Sequence, residues 1–339
     1  MTQPTEKEFI ELWNSFNIVR NFLNKYPATL EPPVVVKPPV VIEPNIVGFG
    51  AGVTGGLGGA KKDTDSHANL KLYGQSDEPM HIHVTKNITG AGFTLKSNKT
   101  ITFAPGVSLI GVGLWFNGAE NIIIRNLSNK DTPIDQQVDV LAFRESQRVW
   151  LDHCDLRGTP GVDGLFDMTQ GSDLFTVSNC ILADATKCSL VGGSDTTTSD
   201  IGKLRVTFIG NHFLNNLERS PSIRFGFAHM INNLFEHNAD FKAGPYKGYQ
   251  VASRVGAKVR FDSNVFLNIQ GQCLQTINSA TIGYGQYSGL STSKFINSPN
   301  NNLHGVIESD FTTPYEFPFS GVDEVEKNVR SKAGATLIL

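Results

Sequence analysis

Apolar and polar positions repeat along the chain from about residue 80 onward. Each unit is a run of β-branched or aromatic residues that meets a polar residue and then one or two apolar ones, as in RVTFIGNHFL and KVRFDSNVFL. The polar positions are roughly 21 to 32 residues apart, within the range of solenoid periods. The units cover 121–128, 148–156, 174–182, 205–214, 228–235 and 258–267, with Asn126, His153, Asn179, Asn211, Asn232 and Asn264 at the polar position.

These repeats predict an all-β fold in which each unit supplies one coil of a right-handed parallel β-helix. Stacked coils bury apolar side chains and pair their strands along the axis. The recurring asparagines are expected to form a ladder at the bends, because an amide side chain can satisfy backbone groups of the neighbouring coil. After residue 285 the repeat fades into a covering loop, followed by a short helix over 323–332 and a last strand, AGATLIL.

The first 44 residues follow other patterns. Over 1–26, apolar residues recur at alternating steps of three and four after a Thr5/Glu8 capping box, which predicts an amphipathic helix. That helix either packs on its own domain or oligomerises, a homotrimer being one form. EPPVVVKPPVVIEP then predicts an extended linker over 27–44. The β-helix domain is expected over 45–339, and its glycine-rich start lacks the lysine of a phosphate-binding loop.

Composition narrows the function classes. The 339 residues carry a formal net charge of −3, whereas a nucleic-acid-binding domain is usually basic. No apolar run approaches the roughly 18 residues that a membrane helix needs. The cysteines form no CxxC pair and are expected to be buried free thiols, a disulfide being the alternative. MTQPTEKEF lacks the features of a signal peptide, so we expect a mature form or another export route.

Three aspartates on neighbouring units, Asp139, Asp163 and Asp167, are candidate metal ligands. Asp163 and Asp167 are four residues apart around a turn that leads into a strand. Hard oxygen ligands on adjacent coils suit calcium, which takes about six to eight of them and tolerates irregular geometry. Aspartate is also a common turn former, so the spacing leaves both interpretations open.

Three cations lie on the following units. Arg219 and Arg224 flank Pro221, whose restricted backbone would hold their geometry, and Lys187 lies one coil earlier. The planar guanidinium group can donate two parallel hydrogen bonds to one carboxylate. Together with the aspartates these cations indicate a site for an acidic ligand such as an acidic sugar. A solvated charged face is the alternative.

The motifs around these residues resemble the pectate lyase family. The runs are VWLDHCDL, DGLFDMTQGSDLFTVSNC, Lys187 followed by SLVGGSD, VTFIGNHF and RSPSIRFGFAHMINNLF, and the likeness covers roughly residues 45 to 290. The RxPxxR and vWxDH motifs are highly specific. The resemblance implies a right-handed parallel β-helix that cleaves polygalacturonate by β-elimination with the help of calcium.

Carried over by position, the resemblance implies a role for each candidate. The calcium ligands would be Asp139, Asp163 and Asp167, the proton-abstracting residue Arg219, and the substrate-carboxylate contacts Lys187 and Arg224. Gln137 stands where the family often has a further acidic residue, and Thr169 stands where it has a further lysine. No other cofactor is implied.

Several functions remain open. The favoured one is a calcium-dependent pectate lyase that acts outside the cell. One version of it is a phage tailspike depolymerase attached to the virion tail through its N-terminal helix. A depolymerase for another uronate-containing polysaccharide and a non-catalytic glycan-binding β-helix are the alternatives. His153 and His229 are expected to be structural, and Trp115 to lie in the core rather than to form a sugar platform.

Overall fold

The computed structural model describes residues 46–130, 138–159, 162–279, 282–298 and 307–339, together with Lys7 and Glu11. The chain divides into two units, Met1–Glu43 and Pro44–Leu339. The predicted helix over 1–26, apart from those two isolated positions, and the predicted linker over 27–44 lie outside the described residues. Both therefore stay predictions.

Three sheets wind around one core, and their strands are counted here over the described ranges. The first sheet has ten strands: β1 (Ala60–Thr64), β2 (Met80–Val84), β5 (Lys99–Phe103), β8 (Glu120–Arg125), β11 (Gln147–Asp152), β14 (Asp173–Ser178), β17 (Arg205–Ile209), β20 (Phe227–Ile231), β23 (Lys258–Asp262) and β27 (Gln286–Ser288). The second has nine: β3 (Ile88–Thr89), β6 (Ser108–Ile110), β9 (Ser128–Lys130), β12 (Asp155–Arg157), β15 (Ile181–Ala183), β18 (His212–Leu214), β21 (Leu234–Glu236), β24 (Val265–Leu267) and β28 (Lys294–Ile296). The third also has nine: β4 (Phe93–Leu95), β7 (Leu114–Asn117), β10 (Leu141–Arg144), β13 (Phe166–Thr169), β16 (Leu190–Val191), β19 (Ser222–Arg224), β22 (Tyr249–Arg254), β25 (Gln272–Ser279) and β26 (Gly283–Tyr284).

Successive coils pair strand on strand in parallel, and among the described strands only β25 and β26 pair antiparallel. The chain visits the three sheets in turn, so each parallel neighbour is one full coil away. Crossovers between parallel strands are almost always right-handed, because right-twisted strands pack back onto the sheet only that way. The predicted right-handed parallel β-helix is confirmed.

Short helices flank the solenoid. They are α1 (His67–Gly74) and α2 (Val325–Lys332), with 3₁₀ turns at Thr198–Asp200, Leu290–Thr292 and Val322–Glu324. Helix α2 confirms the helix predicted over 323–332. A bilayer-spanning helix, which would have to be long and apolar, is not found in the described part of the chain.

Stacked aromatic rings fill the core between coils. Four phenylalanines in register on the second sheet stack with centroids 4.8, 4.4 and 4.8 Å apart and nearly parallel planes: Phe213, Phe235, Phe266 and Phe295. The spacing follows from the distance between neighbouring strands, which is about 4.8 Å. The last of these stacks includes β28, so the coil repeat continues beyond residue 285 rather than fading there.

A hydrogen-bonded ladder runs through the interior where the first sheet turns into the second. In each coil a backbone N–H donates to the side chain at the same position of the next coil; the members in order are Cys154, Cys180, Asn211, Asn233, Asn264 and Ser293. A thiol, an amide and a hydroxyl can all accept at this position. The cysteines, all four of which are in the described part, are buried and free, as predicted.

The predicted asparagine ladder mixed two neighbouring positions. Asn126, His153, Asn179 and Asn232 lie one residue before the ladder, at the bend itself, with positive φ angles of 65°, 49°, 50° and 50°. Asparagine and histidine are enriched in this left-handed region. Only Asn211 and Asn264 of the predicted set belong to the ladder, and the member between them is Asn233 rather than Asn232.

Residues 46–59, here called the N-terminal cover, cross the outer face of the first sheet. Phe49 N–H donates to Thr207 Oγ1 at 3.1 Å, and Gly56 N–H donates to Thr100 Oγ1 at 3.0 Å. A Cβ on Gly56 would lie 2.0 Å from a carbonyl oxygen of β2, so this close approach requires glycine. The glycine-rich run therefore begins the domain by packing tightly against it.

Residues 307–320, here called the C-terminal cover, meet the N-terminal cover on the same face. The Tyr315 hydroxyl lies 2.6 Å from Thr207 Oγ1 and 2.8 Å from His229 Nδ1, and its ring packs on Phe49. The closing AGATLIL forms no strand, so that prediction was wrong. Its backbone is held instead by a side chain, since Leu337 N–H donates to Asn126 Oδ1 at 3.0 Å.

Candidate active site

The outer face of the third sheet collects the charged candidates. Side chains alternate along β13, with Phe166 and Met168 fully buried in the core and Asp167 and Thr169 pointing outward. Because parallel coils are in register, outward positions line up along the axis. One such row contains Trp115, Ala142 and Asp167, and a neighbouring row contains Arg224 and Arg254.

The three candidate metal ligands lie on two successive coils. Val138 and Val162 pair across the turns that precede β10 and β13, which places Asp139 and Asp163 next to each other on the stack. Asp167 follows on β13. A Cβ on Gly164 would lie 2.7 Å from Asp167 Oδ1 and 3.0 Å from Asp139 Oδ1, so these two carboxylates converge on one small space.

The surroundings of Asp139 and Asp167 disfavour the ionised form of both carboxyl groups. Burial, followed by the nearby charge of Asp163, raises the pKa of Asp139 to about 6. Burial and the charge of Asp139 raise the pKa of Asp167 well above its usual range, although its Oδ1 accepts a hydrogen bond from Leu190 N–H at 2.8 Å. Such mutual repulsion is relieved by a proton or by a cation between the groups.

The described residues contain no group of three or more histidine, cysteine, aspartate or glutamate side chains arranged to hold a metal ion. Asp163 is instead paired with Lys187, whose Nζ lies 2.7 Å from Asp163 Oδ1. Gln137 lies outside the described residues. The pair of Asp139 and Asp167 nevertheless fits a hard cation, because both are oxygen ligands that converge on one small space.

Arg219 lies on the coil after Lys187. Its backbone φ is 63°, and the Ser220–Pro221 peptide bond that follows is cis. Its Nε is 3.4 Å from Glu218 Oε1, and 28% of its side chain is exposed. The positive charge of Arg219 lowers the pKa of Asp167 and so opposes part of the rise caused by burial.

Arg224 is held more tightly than the other candidates. Its Nε donates to Asp195 Oδ1 at 2.5 Å and its Nη1 donates to the Gly192 carbonyl at 2.8 Å. Asp195 Oδ2 also accepts from Arg254 Nη2 at 2.9 Å. Burial lowers the pKa of Arg224, and the hydrogen bond to Asp195 opposes this shift. Two guanidinium groups therefore share one carboxylate.

All six predicted site residues thus lie on the third sheet or on the turns that lead into it. Their partners Asp195, Arg254 and Glu218 were not predicted. Asp195 ends the run SLVGGSD and Glu218 directly precedes Arg219, but neither position has a spacing that marks it as part of a site. Arg254 could have been found only from the register of β19 and β22.

Trp115 contradicts the expectation of a core position. It points outward from β7, is half-buried, and its Nε1–H donates to the carbonyl oxygen of Asp139 at 3.2 Å. The alternation along GLWFNG buries Leu114 and Phe116 instead. The indole therefore supports the backbone of the aspartate turn from the outer face.

Both histidines in question belong to the first sheet or its bend, away from the third sheet. His229 is fully buried, with Nε2 2.7 Å from Asp262 Oδ2 and Nδ1 2.8 Å from the Tyr315 hydroxyl. His153 Nδ1 lies 2.9 Å from Asp152 Oδ2. These contacts support the structural roles expected for both side chains.

Comparison with known proteins adds an independent line of evidence. A family model described as pectate lyase matches residues 83–335. Pectate lyase B of Colletotrichum gloeosporioides is 36% identical over 300 residues, covering 86% of this chain and 86% of that protein. Probable pectate lyase B of Aspergillus flavus is 36% identical over 240 residues, covering 69% of this chain and 71% of its own length.

Solved structures agree with the fold. Pectate lyase Bsp165PelA from Bacillus sp. N165, solved in complex with trigalacturonate, superposes with a TM-score of 0.70 at 24% identity, over 85% of this chain and 98% of its own. A second pectate lyase, from a study of substrate specificity and the anti β-elimination mechanism, gives a TM-score of 0.73 at 19% identity, over 85% and 96%. At such low sequence identity these structural similarities support the fold alone.

Proposed function

Because the chain belongs to the pectate lyase family, we propose that it cleaves pectate by β-elimination on the outer face of its third sheet. The observation that carries this proposal is the grouping of carboxylates and cations on consecutive coils of one outward face. A polyuronate lying along the axis would meet one coil about every 4.8 Å, so its carboxylates could contact successive coils. The fungal relatives are pectate lyases by name, and the neighbour with trigalacturonate has a related acidic ligand.

We propose Arg219 as the base that removes the C5 proton of a uronate ring. The C5–H electrons form a C4=C5 double bond, the C4–O4 bond breaks, and O4 leaves with a proton from solvent. An arginine side chain is protonated at neutral pH, so only its neutral form could accept the proton and the rate should rise with pH. Glu218, 3.4 Å away, would orient the guanidinium.

Lys187 and Arg224 would bind and stabilise the uronate carboxylate as negative charge builds on it. Donors that are fixed before the reaction cost no reorganisation at the moment of proton transfer. Arg224 fits this role because Asp195 and the Gly192 carbonyl hold it. Lys187 now pairs with Asp163, so substrate binding would exchange that ion pair for one with the uronate.

The proposed metal is calcium, held by Asp139, Asp163 and Asp167. Support comes from the crowding of Asp139 and Asp167, whose raised pKa values report charges that a cation would compensate. When bound, calcium would withdraw charge from the uronate carboxylate and so acidify the neighbouring C–H bond. The metal would also offset the repulsion between these aspartates.

The finer parts of the function stay proposals. Another uronate-containing polysaccharide could occupy the same charged face, and a panel of such polymers would identify the preferred one. Attachment to a virion tail and assembly as a homotrimer depend on the helix predicted over 1–26, whereas action outside the cell is a separate proposal. The mass of the full chain in solution, measured by light scattering, tests the trimer directly.

The test of the proposed function is the ultraviolet absorbance of the unsaturated product made from polygalacturonate. We expect activity with added calcium, loss of activity with a chelator, and a loss of roughly 10²-fold or more for Arg219→Ala. Arg157→Ala is the matched control, because Arg157 is a partly exposed arginine on the second sheet that pairs only with surface aspartates among its described contacts. Full activity of Arg219→Ala or Arg219→Lys would refute the assigned base.

A further inference from the structure

Two arginines face each other across adjacent strands of the third sheet. Arg224 on β19 and Arg254 on β22 are register partners, and both point outward. Like charges directly opposite each other on neighbouring strands repel and are destabilising unless a counterion separates them. Their side chains are nevertheless only 12% and 18% exposed, so the pair is held against the surface rather than extended into water.

Asp195 provides that counterion from a different coil. It lies in the segment that connects β16 to β17, and its Oδ1 accepts from Arg224 Nε at 2.5 Å and from Arg254 Nε at 3.3 Å. Its Oδ2 accepts from Arg254 Nη2 at 2.9 Å. One carboxylate thus bridges both guanidinium groups and fixes the distance between them.

The segment that carries Asp195 is itself anchored. Asp200, at the end of the 3₁₀ turn Thr198–Asp200, is fully buried, and its Oδ1 accepts from Gly171 N–H at 2.6 Å. Nearer to Asp195, Ser194 Oγ and Thr196 Oγ1 lie 2.9 Å apart. A fixed segment can hold a side chain in place, which a freely moving loop cannot do.

Neither guanidinium uses all of its donors on Asp195. An arginine side chain has five N–H groups. Arg224 donates two to Asp195 and the Gly192 carbonyl, and Arg254 donates through Nε and Nη2 to Asp195. The remaining N–H groups are free of further protein acceptors among the described contacts. Both arginines belong to the same sheet whose preceding turns carry Lys187 and Arg219.

We propose that Asp195 is a positioning residue, which sets Arg224 and Arg254 side by side so that both receive carboxylates of the bound uronate chain. This inference rests on the proposed function, since it assumes a polyuronate on the third sheet. Asp195 need not contact the substrate. It acts by keeping the two guanidinium groups from separating and by fixing the direction of their free N–H groups.

The negative charge of Asp195 makes the direction of the change in substrate affinity informative. A carboxylate beside the site of a polyanion repels that polyanion, so removing its charge should strengthen binding if charge alone matters. If Asp195 acts by positioning, removing it should weaken binding despite the gain in positive charge. The two explanations therefore predict opposite changes for a single substitution.

The experiment uses the full chain with Asp195→Asn, which keeps the size of the side chain. We expect KM for polygalacturonate to rise about tenfold, as when a charge-assisted hydrogen bond is lost, with a smaller change in kcat. Asp65→Asn is the matched control, because Asp65 pairs with Lys86 at 2.9 Å on an exposed surface of the first coils. That control should leave both constants unchanged.

A second measurement separates this inference from the proposed function. The affinity for oligogalacturonate is measured by calorimetry in the Arg219→Ala background, where no turnover is expected. Asp195→Asn should weaken this affinity about tenfold. Adding Arg224→Lys to Asp195→Asn should then reduce the affinity by less than Arg224→Lys does alone, because both substitutions act through one contact.

Each outcome decides one question. If the parent chain gives no unsaturated product, the proposed function fails, and calorimetry still decides the role of Asp195. If the parent is active and Asp195→Asn binds as tightly as before or more tightly, the positioning role is overturned and the function stands. A parent chain that neither cleaves nor binds uronates overturns both.

Discussion

The outer face of the first sheet is covered by two segments of its own chain, whereas the outer face of the third sheet carries charged side chains that reach solvent. On the first sheet, Thr207 accepts a hydrogen bond from Phe49 N–H and lies 2.6 Å from the Tyr315 hydroxyl. On the third, Asp139 and Asp167 crowd together, and Arg224 faces Arg254.

The difference shows how one backbone repeat can serve two purposes. Several polar groups of the first sheet are hydrogen-bonded to the covers, and this arrangement stabilises the fold. The charges of the third sheet are only partly compensated, so a ligand with complementary charges can compensate them and be bound there. Natural proteins often trade stability for function in this way. Substitutions on the two faces should therefore change stability in opposite directions.

The largest effect is expected for Asp167→Asn on the third sheet. Activity on polygalacturonate should fall roughly 10²-fold, because a proposed metal ligand loses its charge. In chelator, the free energy of unfolding should rise by about 1 kcal/mol, because the repulsion with Asp139 is removed while an amide oxygen can still accept from Leu190 N–H. Denaturant unfolding and the product assay measure the two quantities. A destabilised variant would show that these charges do not oppose folding.

An intermediate effect is expected for Gly56→Ala under the N-terminal cover. The new Cβ would meet the Met80 carbonyl oxygen at 2.0 Å, so the free energy of unfolding should fall by about 1–3 kcal/mol. The kcat of the folded enzyme should not change, because the third sheet is untouched. Gly321→Ala is the control, since a Cβ there meets no described atom within 4 Å. Equal stability of the two variants would contradict the close contact.

The smallest effect concerns the second sheet and helix α2. Burial alone would raise the pKa of Glu236, but hydrogen bonds from His212 at 2.8 Å and Arg330 at 2.9 Å lower it to about 2. A lowered pKa means that the ionised group stabilises the fold above the ordinary glutamate value, and that this contribution is lost as the pH falls toward 2.

Glu236→Gln should accordingly lower Tm by a few degrees at neutral pH, and the difference from the parent should shrink as the pH falls below about 4.5. Thermal unfolding at a series of pH values measures it. Glu326→Gln is the control, because Glu326 pairs with the same Arg330 but is 46% exposed. A difference that stays constant down to pH 3 would rule out the ionised pair as its cause.

The repeat pattern was enough to predict the architecture, because coil stacking requires apolar residues at fixed places in every unit. The six candidate site residues were predicted from motifs, and they lie on the third sheet or on the turns that lead into it. The partners were harder to predict: Asp195 meets Arg254 across 59 residues, and the intervening coils differ in length. Register, rather than spacing, brings such residues together. The bend and the ladder were confused for a similar reason, because adjacent asparagines such as Asn232 and Asn233 look alike in a sequence but serve different needs.

The hydrogen bond between Phe49 and Thr207 joins residues 158 positions apart. During synthesis from the N-terminus, it cannot form until the strand that carries Thr207 has left the ribosome. Gly56, in contrast, can dock as soon as the strand of Thr100 has emerged, because its N–H donates to Thr100 Oγ1. The first residues of the N-terminal cover therefore reach their final place later than the residues that directly follow them in the chain.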